Sequence, residues 1–147
     1  MSWNALETAE PELAAFGAAR FTSGVAYLAT IRSDGGPRVH PVTPIIGEGR
    51  LFLFMEPSSP KGHDLQRDGR YAMHCAVADS GGGAGEFFVS GRARLLNDPQ
   101  LRQAAASAAS YAPAERYVLF ELDLEQASST IYQGHNTVRR RWRINSQ

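Results

Sequence analysis

Lys61 is the one lysine among the fifteen Lys and Arg residues of this 147-residue chain. It stands in Met55-Glu56-Pro57-Ser58-Ser59-Pro60-Lys61-Gly62-His63-Asp64, after an apolar strand-like run (51–55) and ahead of a short helical stretch (64–68). A strand, a Ser/Pro-rich turn and a helix start collect backbone N–H groups without partners, and such groups favour anions. Two hydroxyls and one compact, flexible ammonium suit the same spot to a phosphate monoester. The segment therefore reads as a phosphate-anchoring turn. Taken alone, it is also what a surface lysine beside two loop serines looks like.

Other chemistry is less marked. His40, His63, His74 and His135 are scattered, without the close pair or carboxylate spacing of a zinc site, so no metal is expected. No Ser sits in a Gly-x-Ser-x-Gly elbow, and Cys75 lies inside an apolar run with no basic neighbour, as a buried small hydrophobe would. No carboxylate pair stands out for acid–base work. An enzyme built on this chain takes its hard chemistry from a cofactor, with the protein supplying position and electrostatics. The run Arg139-Arg140-Arg141-Trp142-Arg143 is strongly basic, but the formal net charge is zero. That balance argues against nucleic acid and for an anionic ligand or a partner subunit. The glycine-rich stretch 81–85 joins strand to strand and lacks the Lys-Ser/Thr of a phosphate loop, so it reads as a hairpin tip.

The elements that must position these residues follow from patterning. The length suits a single domain over 1–147. Residues 1–20 are rich in Ala, Leu and Glu and read as helical, divided by Pro11 and Gly17. Strands are expected at 25–32, 37–46, 51–55, 71–78, 86–96, 117–124 and 138–144, with a tight turn at Ser33-Asp34-Gly35-Gly36. Pro37, Pro41 and Pro44 cannot donate to a ladder, so that strand keeps an irregular edge able to offer backbone groups to a planar heterocycle. The run 51–55 is apolar on both faces and hence central. Asn97-Asp98-Pro99 opens an Ala-rich surface helix over 98–110. The sum is a mainly β, α+β domain: a small barrel of six or seven antiparallel strands with two or three flanking helices. No apolar run approaches a membrane span and the N-terminus lacks a signal-peptide pattern, so a cytoplasmic protein is expected.

Read in order, Thr30-Ile31-Arg32-Ser33-Asp34-Gly35-Gly36-Pro37, Val39-His40-Pro41-Val42, Leu51-Phe52-Leu53-Phe54, Ser58-Ser59-Pro60-Lys61 and Val89-Ser90-Gly91-Arg92-Ala93 resemble the FMN-binding split barrel. More specifically the chain is similar to the small single-domain members of the pyridoxamine 5′-phosphate oxidase family, over residues 21–96. The resemblance implies a homodimer of split barrels with flavin mononucleotide at each subunit interface. It implies that Arg38 and Lys61, helped by Ser59, hold the flavin phosphate, that Val42 and Thr43 lie along the isoalloxazine ring, and that Phe54 and Met55 border it. Glu86 matches a flavin-contacting Gln, although a carboxylate donates no hydrogen bond unless protonated. Trp142 and Arg143 match the C-terminal strand that reaches the site across the dimer. The implied activity is FMN-dependent oxidoreduction, with hydride passing to or from a small substrate. The Arg-Leu-His-Asp-Arg-like substrate motif of the oxidase has no counterpart, which sets pyridoxamine phosphate itself apart. Two alternatives stay open on the same fold. One is an F420-dependent reductase, with Arg139, Arg140, Arg141 and Arg143 facing the acidic cofactor tail. The other is a carrier or sensor that binds flavin or haem without turnover, one histidine serving as axial ligand.

Overall fold

The computed structural model describes residues 1–81 and 83–145, so Gly82 of the glycine-rich tip lies outside the described residues. In chain order the elements are α1 (Trp3–Ala9), α2 (Pro11–Thr22), β1 (Ala26–Ile31), β2 (Pro37–Val42), β3 (Ile45–Gly47), β4 (Arg50–Met55), α3 (Pro60–Arg67), β5 (Arg70–Cys75), β6 (Glu86–Leu96), α4 (Pro99–Ala108), β7 (Val118–Gln133) and β8 (Asn136–Arg143). The strands form one antiparallel sheet in the order β2-β1-β5-β6-β7-β4-β3, with β8 added to β7. This is the α+β split barrel. It has eight strands and four helices among the described residues, against six or seven and two or three expected from patterning.

The extra elements have local causes. Pro11 opens α2 at its first turn, where a missing N–H costs nothing, so the N-terminal helix splits there. Gly17 does not break α2. A Cβ at Gly17 would stand 2.2 Å from the ring of Phe87, so this glycine lets helix and barrel approach closely. The 37–46 run splits at Thr43-Pro44 into β2 and β3, because Pro44 has no donor to continue a ladder. Strand β7 runs nine residues past its expected end; its second half, Glu125-Gln126-Ala127-Ser128-Ser129-Thr130, is too polar to show an apolar alternation.

Strand β7 is the spine. Val118–Glu121 pair with β4, almost its whole length pairs with β6, and Gln126–Gln133 pair with β8. Its buried Glu121 accepts from Arg50 Nη1 on β4 and Arg94 Nη2 on β6, both at 2.6 Å, which ties three strands through one carboxylate. The barrel core gathers Leu28, Leu51, Leu53, Met73, Phe87, Val89, Phe120 and Leu122. Phe87 is ringed by Trp3, Phe16 and Phe21, with centroids 6.0, 6.4 and 5.0 Å away, so α1 and α2 close that side with aromatic edges. A second, smaller core of Ile45, Phe52, Phe54 and Leu119 lies beneath Ala105 of α4.

The β6–β7 ladder shifts register between Ser90 and Gly91, and the bulge redirects the half of β7 that carries β8. A Cβ at Gly91 would stand 2.0 Å from the Asp123 carbonyl oxygen, which is fixed backbone. Gly91→Ala is expected to lower the unfolding free energy by about 3 kcal/mol. Urea unfolding of the purified variant checks this.

Candidate functional site

Ser59 caps α3: its Oγ accepts from Gly62 N at 3.2 Å, and Pro60 takes the first helical position. The helix therefore starts at Pro60, earlier than the sequence reading placed it, and Lys61 sits in its first turn. A Cβ at Gly62 would lie 2.9 Å from Ser59 Oγ and 3.2 Å from Met55 Sδ, so this turn is packed tightly on the end of β4. Lys61 is half-buried, and burial alone pulls its ammonium pKa below the ordinary value; no carboxylate offsets that.

The residue that organises the site is Asp64, one helical turn on and nearly fully buried. Its Oδ2 accepts from Thr30 Oγ1 on β1 and from Arg38 Nε on β2, both at 2.7 Å. Its Oδ1 accepts from Arg67 Nη2 at 2.9 Å, and the same Nη2 donates to the Ile31 carbonyl at 3.0 Å. Burial by itself raises the Asp64 pKa, but the hydrogen bonds from Arg38, Thr30 and Arg67 and the Arg38 charge outweigh it and hold the carboxyl below the ordinary 3.8. Arg38 is thereby fixed by its Nε. Asp64, Thr30 and Arg67 were not singled out from the sequence. The i,i+3 spacing of Asp64 and Arg67 was readable, whereas the contacts to Thr30 and Arg38 span 34 and 26 residues and arise only from the fold.

Lys61, Ser59, Arg38 and Met55 thus gather around the first turns of α3. Val42 closes the other end of β2, paired with Ala26 rather than near Thr30, and Thr43 follows it; Val42 is buried and Thr43 exposed. Phe54 points to the opposite face of β4, in the α4 core, with the Arg102 guanidinium 5.1 Å from its ring centroid. Glu86 is not beside α3. That helix leads into β5 at Arg70, while Glu86 begins β6 beyond the His74–Phe88 pair at the far end of β5. There its Oε2 accepts from Tyr132 Oη at 2.8 Å, and His74 Nε2 stands 4.0 Å from Oε1. Trp142 packs on the barrel core opposite Ala127, and the exposed Arg143 donates to Gln126 Oε1 at 3.2 Å. Within this single chain nine of the ten residues form three groups, the α3 end, the Thr43 end of β2 and the β6–β8 side, and Phe54 stands apart in the α4 core. Among the described residues, no three His, Cys, Asp or Glu side chains cluster as a metal-ligand set. No helix among them is long and apolar enough to cross a membrane.

The pyridoxamine 5′-phosphate oxidase family profile matches residues 10–131, and the chain belongs to that family. A comparison with curated protein sequences finds no match. Among solved structures, a haem-binding protein from Mycobacterium smegmatis superposes with a TM-score of 0.65 at 20% identity, over 86% of this chain and 57% of that one. The chain thus spans little more than half of that relative. A conserved hypothetical protein from Mycobacterium tuberculosis gives a TM-score of 0.66 at 19% identity, covering 82% of this chain and 83% of that one. A NimC/NimA family protein from Clostridium acetobutylicum gives 0.63 at 16% identity, over 85% and 88%. At these identities the likeness is one of fold.

A depressed carboxyl pKa means that the stabilisation from Asp64 is present above its unfolded value and is lost as pH falls through its folded value. Asp64→Asn leaves two guanidinium groups without their buried anion and is expected to cost about 3 kcal/mol of stability. It is also expected to flatten the loss of stability below the ordinary carboxyl value of 3.8. Denaturant unfolding of wild type and variant as a function of pH measures both effects.

Proposed function

We propose that this chain binds flavin mononucleotide and works as an FMN-dependent oxidoreductase on a small substrate. The observation that carries the reading is the α3 end: a half-buried ammonium with no carboxylate offsetting its burial, beside a capping hydroxyl and an arginine locked in place by Asp64. A phosphate dianion supplies the charge this cluster lacks, and the positive end of the α3 dipole adds to it. Lys61, Ser59 and Arg38 would hold the phosphate, and Val42 and Thr43 would lie toward the ring. When bound, the flavin supplies the two-electron chemistry; the chain contributes position, orientation and exclusion of water.

A homodimer belongs to the same reading. Tyr27, Val39 and Pro41 are exposed and adjacent in the β1–β2 ladder, with Tyr27 also paired to His74 on β5. Val39 is 65% exposed, a large apolar side chain on a regular strand that a second copy would cover. This face also carries Glu86 and His74, so a partner packed on it would bring these groups near a second copy's β strands. Wild type is expected to sediment as a dimer and Val39→Glu as a monomer; a monomeric wild type contradicts the interface.

A haem-binding reading has one observation of its own. His74 Nδ1 donates to the Cys75 carbonyl at 2.6 Å, which leaves Nε2 as the free ring nitrogen on the exposed sheet face. An F420 reading would instead use the exposed Arg139, Arg141 and Arg143 of β8. One experiment separates the three: visible absorption of the protein after incubation with FMN, F420 or haem and desalting. Retained flavin bands, lost by about tenfold or more in affinity in Lys61→Ala, are expected. Unchanged FMN affinity in that variant removes the assignment, and a retained Soret or deazaflavin band in place of flavin moves it to the corresponding alternative.

A further inference from the structure

Strand β8 is an edge: among the described residues it pairs with β7 alone. It is eight residues long, holds no proline, and every residue on it but Trp142 is exposed. Such an edge is a template for a further strand. The ladder tells which of its backbone groups lie free. Ile144 N donates to the Glu125 carbonyl at 2.9 Å, one step beyond the Gln126–Arg143 pair. Hydrogen-bonded and non-hydrogen-bonded pairs alternate in an antiparallel ladder, so Val138, Arg140 and Trp142 turn their N–H and C=O groups to β7. The Gln133–Asn136 pair that closes the Gly134-His135 turn falls in the same phase. Thr137, Arg139, Arg141 and Arg143 therefore turn theirs to the open edge.

The residues with free backbone groups also carry the charge. Arg139, Arg141 and Arg143 share one sheet face with their cross-strand partners Thr130, Ser128 and Gln126. Arg143 donates to Gln126, whereas Arg139 and Arg141 have no ion pair among the described residues. The acid in the Arg139 row, Glu86, lies two strands away beyond Thr130 and accepts from Tyr132. On the opposite face of β8, Arg140 is paired with Glu12 of α2, between the exposed Val138 and the half-buried Trp142.

We propose that the β8 edge docks an extended acidic segment of a partner protein by strand addition, with Asp or Glu at alternate positions and apolar residues between them. Main-chain hydrogen bonds to Thr137, Arg139 and Arg141 set its register. Its carboxylates meet Arg139, Arg141 and Arg143 on one face, and its apolar side chains cover Val138 and Trp142 on the other. A second copy does not fit this edge. Two β8 strands paired antiparallel about Arg140 set Arg139 against Arg141, and about Arg141 they set Arg139 against Arg143. A nucleic acid or an acidic cofactor tail would meet the guanidiniums and leave the row of backbone groups unused. The inference rests on neither the flavin nor the dimer reading.

Amide hydrogen exchange of the whole chain, read by NMR, tests it with a capped heptapeptide of alternating Glu and Val and its Lys/Val counterpart. The Glu/Val peptide is expected to slow exchange at Arg139 and Arg141 by about tenfold or more, and to leave Val138, Arg140 and Trp142, already bonded to β7, little changed. The Lys/Val peptide slows none of them. Fluorescence of Trp142 reports affinity, since the other tryptophan, Trp3, is fully buried. Reversing two exposed charges, Arg139→Glu with Arg141→Glu, should weaken the Glu/Val peptide by about tenfold and admit the Lys/Val peptide. Thr137→Pro keeps every arginine and the β7 ladder but removes one outward N–H, and should weaken the Glu/Val peptide several-fold. Absence of binding, binding without protection of Arg139 and Arg141, equal protection by both peptides, or unchanged affinity in Thr137→Pro overturns the inference. Tripolyphosphate shifting the same residues where the peptide does not identifies a simple polyanion site and overturns it too.

Discussion

A carboxylate removed from water must be surrounded by donors or it unfolds what buries it, and Asp64 meets that demand with groups from three elements. Thr30 comes from β1, Arg38 from β2 and Arg67 from the same helix. The geometry works in both directions. The strands fix where α3 sits, and α3 fixes how Arg38 is held. Ser59 and Lys61 ride on the first turn of that helix, so their placement against the strand ends follows from one buried charge one turn further on. Removing the Asp64 charge would leave two partly exposed guanidinium groups without their shared buried anion, so the consequence reaches both stability and the hold on Arg38.

The rest of the barrel keeps the ends of β2 and β4 in register for this. Strand β7 pairs with β4, β6 and β8 along successive parts of its length, and Glu121 on it collects Arg50 and Arg94 into one further buried ion network. One Glu121 oxygen, Oε2, has no hydrogen-bond partner among the described residues, so this tie holds strands together at some cost in desolvation. The aromatic ring around Phe87 anchors α1 and α2 against the barrel and so sets where the C-terminal end of α2 faces the 43–46 segment. The α3 end and the Thr43 end are separate consequences of one sheet, joined by β2.

The sequence made some of this legible and hid the rest for physical reasons. Leu51–Met55 reads as buried on both faces and is, because a central strand between two cores needs no polar face. Asp98 followed by Pro99 marks the start of α4 by local capping chemistry alone, with Asp98 Oδ1 accepting from Gln100 N at 2.8 Å. The singular Lys61 and its serine neighbours mark the Ser/Pro turn that opens α3. Asp64 stayed hidden because a lone acid in a polar helix looks solvated; only the fold delivers Thr30 and Arg38 to it. The second half of β7 stayed hidden because its Ser, Gln and Thr residues lack apolar alternation. The resemblance gathers Glu86, Trp142 and Arg143 with Lys61, whereas one chain separates them, since α3 leads into the Arg70 end of β5 and Glu86 begins β6 beyond the other end.

If the α3 end recognises the flavin phosphate as proposed, FMN and riboflavin, which shares the ring and lacks the phosphate, bind with different affinities, and titration of both measures the difference. Charge-assisted hydrogen bonds from Lys61, Ser59 and Arg38 predict FMN binding tighter by about 100-fold at equal salt. Equal affinities for the two would contradict this phosphate assignment, because the half-buried Lys61, the α3-capping Ser59 and the arginine held by Asp64 would then take no part in binding.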